Sequence, residues 1–340
     1  MKGDERMLVS RFRYLGDVLL ATPFLRALRA ALPGGRISML VDKGTEDVLL
    51  NNPDIDEVLV FDKAAGLAWK SGFVFELRGK GFDVAIDLTG SDRGAWLAFL
   101  SGARQRVGFR GNNYFRRKFL YNLLVPQLDA YVHQVERNLA VAKALGIEHK
   151  GLRPTLVLTQ EEMSAGRALV GSIDRYAVIH PGARRWYKRW PLENFARTSD
   201  VLKDMGIDVV LTGAIEDSEL TAKISSLMEK APVDLAGKTT VRELAAIIKD
   251  AVVFIGNDSA PLHIASALGV KSIGLFGPTD WRNWGPVGPD ARVFMKEGFT
   301  CRPCGHAREC PEGQGYCMAH ISFEEVRDAL LEMLDKRPLA

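Results

Sequence analysis

A chain of 340 residues, 47% hydrophobic and 26% charged, has the composition of an ordinary globular protein and length for two domains of about 100–200 residues each. Its formal net charge of +3 is too small to argue for nucleic acid, and no run nears the roughly 20 apolar residues of a membrane span. The N-terminal stretch MKGDERMLVSRF mixes acids with bases around no apolar core, so a cytoplasmic protein is expected rather than a secreted one.

The first half alternates apolar runs with turn residues. Met7–Phe12 reads as a buried strand and a helix follows to Leu32. Arg36–Val41 and Glu57–Phe61 read as further strands, with a helix at Thr45–Asn51 between them. A helix over about Leu67–Lys80 then leads to another buried strand, Asp83–Leu88. This alternation predicts a mostly parallel sheet covered by helices. Where the first strand ends, Arg11-Phe12-Arg13-Tyr14-Leu15-Gly16-Asp17 sets a carboxylate after a glycine and before an apolar helix. Asp17 either caps that helix or points into a crevice, where it could take a proton from a hydroxyl. Thr22-Pro23 has the form of a second N-cap and N1 pair, and Pro23 would break a helix running on from Asp17. The helix is therefore expected to kink, or to restart at Thr22, which weakens a purely capping role for Asp17.

Further on, Gly102–Lys118 carries Arg104, Arg106, Arg110, Arg116, Arg117 and Lys118 with no acid. Such a run is either a solvated face or a holder of an acidic partner or of lipid phosphates. The strand pattern lapses across Leu152–Gly171, around Pro154, and restarts at Tyr176. We therefore expect an N-terminal domain over residues 1–160, a C-terminal domain over 171–320, and a terminal helix. That helix, Ser322–Lys336, opens with a capping box at Ser322-Phe323-Glu324-Glu325 and is free to pack back across the domain boundary.

In the second half, strands are expected at Ala177–His180, Asp208–Thr212, Val233–Leu235, Ala251–Ile255 and Ser272–Phe276. Helices are expected at Leu192–Met205, Ser218–Lys230, Val241–Lys249 and Pro261–Leu268. Three strand ends carry chemistry. The loop His180–Pro191 holds Gly182, which permits close backbone approach, and Lys188 among arginines, which can neutralise a leaving diphosphate. A basic surface loop is the plainer reading. At Thr212–Asp217, Glu216 and Asp217 either accept ribose hydroxyls or favour the next helix start. At Gly256–Pro261 the turn groups Asn257, Asp258, Ser259 and Ala260, with His263 one helical turn on. Asp258 or Ser259 is an N-cap, or the turn binds an anion at the helix start.

No G-x-G-x-x-G fingerprint and no Walker A loop appear, which disfavours a standard dehydrogenase or P-loop ATPase. Cys301, Cys304, Cys310 and Cys317 fall in one segment with the spacing C-x2-C-x5-C-x6-C. Clustering of this kind suggests metal or redox chemistry more than structural disulfides, but the paired C-x2-C form of a zinc site is lacking. A structural metal, reduced thiols and pairing on oxidation all stay open. No His/Asp cluster has ligand spacing, so no catalytic metal is expected.

Taken in order, RFRYLGDVLLATPFLRALR (Arg11–Arg29), NNPDIDEVLVFD (Asn51–Asp62), HPGARRWYKRWP (His180–Pro191), LTGAIED (Leu211–Asp217) and GNDSAPLHIASALGVKSIGLFGPTD (Gly256–Asp280) resemble glycosyltransferase family 9, the ADP-heptose:lipopolysaccharide heptosyltransferases. The cysteine segment resembles one carried by many members. The resemblance implies the α/β GT-B fold, two Rossmann-like domains facing a cleft, with the donor held mainly by the second. It also implies inverting transfer of heptose from ADP-heptose to the inner core of lipopolysaccharide, with no metal and no cofactor. On the matching positions, Asp17 would be the general base, Lys188 would bind the diphosphate and Glu216 the ribose. The Asp258–Ser259–Ala260 turn would take the phosphates and heptose, with Gly182 and His263 beside it.

The expected acceptor contacts are Arg13, Tyr14, Arg104, Arg106 and Arg110, facing an anionic glycolipid core at the inner membrane face. Arg13-Tyr14 departs from the small hydroxyl residues common before Leu-Gly-Asp in the family, which bears on the acceptor. Two other readings fit the same scaffold: a nucleotide-sugar epimerase or hydrolase, and a non-catalytic glycolipid-binding protein.

Overall fold

Strands as continuously apolar as Met7–Val9 or Val253–Ile255 must be central, because both of their faces need cover. The structure, a computed structural model, describes residues 3–110, 119–126, 128–149, 151–302, 304, 310 and 316–335. It divides into two units, Met1–Val157 and Leu158–Ala340. Among the described residues no helix is long and apolar enough to cross a membrane.

In the first unit, β1 (Arg6–Arg11) leads through α1 (Leu15–Leu19) and α2 (Thr22–Ala31) to β2 (Arg36–Asp42) and β3 (Glu57–Phe61). Next come α3 (Leu67–Gly79), β4 (Val84–Asp87), α4 (Asp92–Leu100), β5 (Gln105–Phe109), β6 (Leu123–Val125) and α5 (Gln134–Ala144). The strands are parallel in the order β3-β2-β1-β4-β5-β6. Pro23 sits where its missing N–H costs nothing, and the helix restarts at Thr22. Thr22 is not the cap, however. Ala21 holds that position, while the Thr22 hydroxyl donates to the Leu19 carbonyl (2.8 Å) and accepts the Thr155 amide (2.8 Å). The helix expected at Thr45–Asn51 shrinks to a single 3-10 turn, Glu46–Leu49. Asn51 at φ +60° closes it, and Pro53 lies just beyond. The base-rich run conceals β5, whose Val107 is wholly buried and pairs with Ile86. Arg116, Arg117 and Lys118 lie outside the described residues.

The second unit opens with α6 (Gln160–Val170), β7 (Tyr176–His180), α7 (Leu192–Asp204), β8 (Asp208–Leu211), α8 (Ser218–Leu227), β9 (Val233–Asp234) and α9 (Val241–Asp250). It continues with β10 (Val253–Asn257), α10 (Ala260–Leu268), β11 (Ser272–Leu275), α11 (Trp281–Trp284), β12 (Ala291–Phe294), α12 (Tyr316–Ala319) and α13 (Phe323–Asp335). Its parallel sheet runs β12-β11-β10-β7-β8-β9.

Counted within its own unit, each sheet has the strand order 3-2-1-4-5-6 of the doubly wound dinucleotide fold. The direction of winding reverses between β1 and β4 in one sheet and between β7 and β10 in the other. The stretch expected as a join is partly a packed helix. A Cβ on Gly166 of α6 would meet the Ala246 Cβ of α9 at 2.6 Å, and Glu162 accepts Arg242 at 2.6 and 2.7 Å. The capping box of α13 forms as read, with Glu325 N–H on the Ser322 hydroxyl at 3.3 Å and Ser322 N–H on the Glu325 carboxylate at 3.1 Å. Val326, Leu330 and Met333 of that helix join the core beneath β7, β10 and β11.

Candidate active site

In an open parallel sheet, ligands bind beyond the C-terminal strand ends where the winding reverses. All but Arg104 and Arg106 of the sequence-selected site residues follow strand ends at that place in one unit or the other.

In the first unit, β1 ends at Arg11 and the chain turns through Phe12, Arg13 and Tyr14 into α1. Arg13 sits at φ +93°, which costs a non-glycine residue on the order of 1–3 kcal/mol. Asp42, the last residue of β2, holds it there by accepting the Arg13 amide at 3.0 Å. Arg93 secures Asp42 at 2.8 Å, its guanidinium lying 4.2 Å above the Phe12 ring. The Arg13 and Tyr14 side chains stay exposed. Asp17 does not cap α1, because Tyr14 holds the cap position. Its carboxylate accepts the Arg11 guanidinium at 2.5 Å, with both side chains buried. Arg11 also donates to the Leu88 carbonyl. A planar guanidinium anchored to backbone and carboxylate together fixes the direction of that carboxylate.

Across the reversal, Asp87 ends β4 with no exposure. It accepts the Tyr121 hydroxyl at 2.6 Å and the Thr89 amide at 2.8 Å. Burial raises its carboxyl above the usual range against these bonds and the Arg11 charge. Sequence reasoning gives no role to Arg11, Asp42, Asp87 or Arg93. The signal for the first three is positional, since each is the polar last residue of an apolar strand.

The fold splits the arginine run. Arg110 follows β5 at the same sheet edge as Asp17 and is exposed. Arg104 precedes β5, whose first residue, Gln105, aligns with Val84 and so with Met7 near the start of β1. Arg104 therefore lies at the opposite edge, about 20 Å of extended chain from Arg110. The Arg106 guanidinium is spent on the Leu120 carbonyl (2.7 Å) and the Ala103 carbonyl (2.8 Å). Neither Arg104 nor Arg106 joins Asp17, contrary to their expected grouping with Arg13 and Tyr14. The cause is strand direction, which separates residues that are close in sequence.

In the second unit the reversal brings together segments about 70 residues apart, one following β7 and one following β10. Lys188 lies in the short turn Trp186–Lys188, and its ammonium donates to Asp258 Oδ2 at 2.6 Å. The Thr279 hydroxyl donates to the same oxygen. Ser259 stands at the cap position of α10 but makes no side-chain cap bond, since its hydroxyl donates to the Asn257 carbonyl at 3.2 Å. Capping therefore explains neither residue. Ala260 opens the helix, Pro261 has no N–H to satisfy, and His263 is buried one turn on.

Asn257 serves as a clamp. Its side chain accepts the Trp190 amide at 3.1 Å and donates to the Pro181 carbonyl at 2.7 Å, gripping both ends of the Lys188 loop. The two neighbouring acids divide their roles. Asp217 is buried, accepting Arg189 at 3.1 Å and the Ala214 amide at 3.1 Å, while Glu216 stays exposed at the strand end. A Cβ on Gly182 would meet Asp217 Oδ2 at 2.3 Å, so the close approach that requires glycine there is to Asp217. His180 is buried at the end of β7, with Nδ1 3.1 Å from the Thr212 hydroxyl. Burial pushes its imidazole down to about 4, opposed in part by the Asp217 charge.

All four cysteines are free thiols, and Cys317 is buried. Burial, helped by neighbouring Cys301, pushes the Cys304 thiol up to about 11, and burial also raises Cys317. Neither is a thiolate nucleophile near neutral pH. Among the described residues, no three His, Cys, Asp or Glu side chains are grouped to hold a metal ion.

The two sheets have the architecture of the GT-B fold, and the similarities that follow make the protein a glycosyltransferase. The family model "Glycosyltransferase family 9 (heptosyltransferase)" matches residues 73–314, and the chain belongs to that family. It is 35% identical over 309 residues to lipopolysaccharide heptosyltransferase 3 of Escherichia coli (strain K12), covering 86% of this chain and 89% of that protein. A solved glycosyl transferase family 9 structure from Veillonella parvula DSM 2008 superposes with a TM-score of 0.88 at 27% identity, covering 99% of each chain. E. coli heptosyltransferase WaaC with ADP-2-deoxy-2-fluoro heptose shares the fold at a TM-score of 0.75 and 22% identity, covering 96% of this chain and 99% of that one.

Proposed function

We propose that this protein transfers heptose from ADP-heptose to a sugar of the lipopolysaccharide inner core, with inversion and without a metal. The observation that carries the donor half is Lys188 held on Asp258 beside the uncapped start of α10. An ammonium has three N–H donors, and Asp258 takes one. The others, with the N–H groups at the helix start, suit a diphosphate. In this reading Glu216, which is exposed, would accept ribose hydroxyls, and Gly182, Asp258, Ser259, Ala260 and His263 would take the phosphates and sugar. The relatives' names and the ADP-heptose analogue bound by WaaC support this donor.

The acceptor half is the edge carrying Arg13, Tyr14, Asp17 and Arg110. Asp17 takes the proton of the acceptor hydroxyl as that oxygen attacks the anomeric carbon, opposite the departing group. The bond from this carbon to the diphosphate oxygen breaks, and ADP leaves with its new charge on Lys188 and the helix N–H groups. Arg11 keeps one Asp17 oxygen occupied and leaves the other for the hydroxyl. The epimerase or hydrolase reading would consume donor with no acceptor, and family membership favours transfer.

Asp17→Asn preserves size and the acceptor atom facing Arg11 but cannot take a proton. It is expected to lower kcat by roughly 10²–10⁴-fold, with ADP affinity and melting temperature close to wild type. Normal turnover by this variant overturns the assignment of the base. A donor and acceptor screen read by mass spectrometry tests the substrates.

A further inference from the structure

The long helix α3 buries little beyond Leu77. One face, Trp69, Phe73 and Leu77, packs at i, i+4, i+8 spacing toward Phe61 and the core. The other face, Leu67, Ser71, Phe75 and Arg78, points outward, with Leu67 83% and Phe75 82% exposed. Neighbouring α4 repeats the pattern with Trp96 and Phe99, 53% and 42% exposed, their rings edge to face at 6.2 Å. Large apolar side chains gathered on adjoining helices mark an interaction surface.

The basic residues lie at one end of this face. α3 and α4 are crossovers between parallel strands, so their C-termini meet at the same sheet edge. There Arg78 packs 3.6 Å from the point a Cβ on Gly102 would occupy, exposed Arg104 follows, and Arg106 lies 5.5 Å from the Phe99 ring. The exposed acids on these helices include Asp92, at the far end of α4, and Glu76, 3.7 Å from Lys80.

We infer that the outward face of α3 and α4, rimmed by Arg78 and Arg104, docks on an anionic phospholipid surface. Leucine and aromatic side chains enter the boundary between headgroups and acyl chains, and the guanidinium groups pair with phosphates. Charge favours phospholipid as the occupant, because the rim residues Arg78 and Arg104 are cationic and the exposed Glu76 of α3 already faces Lys80. The inference deepens the reading of a lipid-borne acceptor, and it gives Arg104 a partner that its distance from Asp17 otherwise denies.

The test is co-sedimentation of the full chain with vesicles of phosphatidylglycerol and phosphatidylethanolamine, against vesicles of phosphatidylcholine. Binding to the anionic vesicles alone is expected, weakening as salt rises. The double variant Phe75→Ser/Trp96→Ser, and separately Arg78→Glu, should each bind about tenfold less. Transfer to a deacylated, water-soluble acceptor should stay at the wild-type rate in both. Equal binding by variants and wild type overturns the inference, as does equal binding to neutral vesicles. So does a dimer in solution that the variants dissociate. If the double variant fails to fold, Arg78→Glu and the salt dependence decide. Transfer without vesicle binding sinks this inference alone, whereas vesicle binding without heptose transfer sinks the proposed function alone.

Discussion

Lys188 and Asp17 are each held by one opposite charge. Lys188 is partly exposed, but Asp258 is as buried as Asp17 and, among the described residues, keeps only the Thr279 hydroxyl when the ammonium is removed. Lys188→Met should therefore lower the melting temperature as well as kcat/KM, the latter about 100-fold or more, as thermal unfolding, steady-state kinetics and ADP titration would show. Arg11 and Asp17 are both buried. Arg11→Met would strand a buried carboxylate and should cost about 3 kcal/mol in chemical denaturation. Arg11→Lys, which keeps the charge but not the fork, should recover stability more than kcat. The sequence made Asp17, Lys188 and Asp258 visible as polar residues at strand ends. It could not divide Glu216 from Asp217, because the division depends on Arg189 and on the Ala214 amide. Nor could it reveal Asn257 as a clamp, since both of its partners lie in a loop some 67–76 positions earlier.

Turn and loop packing decide how well the functional elements are set. Gly182→Ala would force Asp217 off Arg189 and the Ala214 amide, and overpacking of this kind costs roughly 1–3 kcal/mol. A lowered melting temperature with a raised donor KM is the expected result. Asn257→Ala loses two buried hydrogen bonds and should cost about 2 kcal/mol, with increased proteolysis of the Lys188 loop. Most element positions were legible because apolar runs and turn residues punctuate the chain cleanly, as at Glu57–Phe61, where reading and structure coincide. β5 was hidden for the opposite reason. Its Val107 follows Arg106, whose guanidinium folds back onto the Leu120 and Ala103 carbonyls rather than marking a loop. α6 was half legible: its polarity suggested a connector, while its contact with α9 requires a glycine whose purpose only packing reveals.

For the whole molecule, acid stability follows from His180. Its imidazole protonates only near pH 4 in the folded state, against about 6.5 when unfolded. Between those values the unfolded chain binds the extra proton, so stability falls as pH drops through that window. The loss reaches roughly 3 kcal/mol by pH 4, and His180→Gln should flatten that part of a stability–pH curve if it folds. The repeated winding, 3-2-1-4-5-6 in each sheet, has a consequence for inheritance and design. Among the described residues, two buried clusters, one around Leu8, Phe12 and Leu40 and the other around Ile179, Ile255 and Leu330, share no residue. A crossover at Val157–Leu158 between two family members would leave each cluster intact. If the proposed assignment holds, recombinants joined there would carry the donor half of one parent and the acceptor half of the other, and each specificity would follow its own unit.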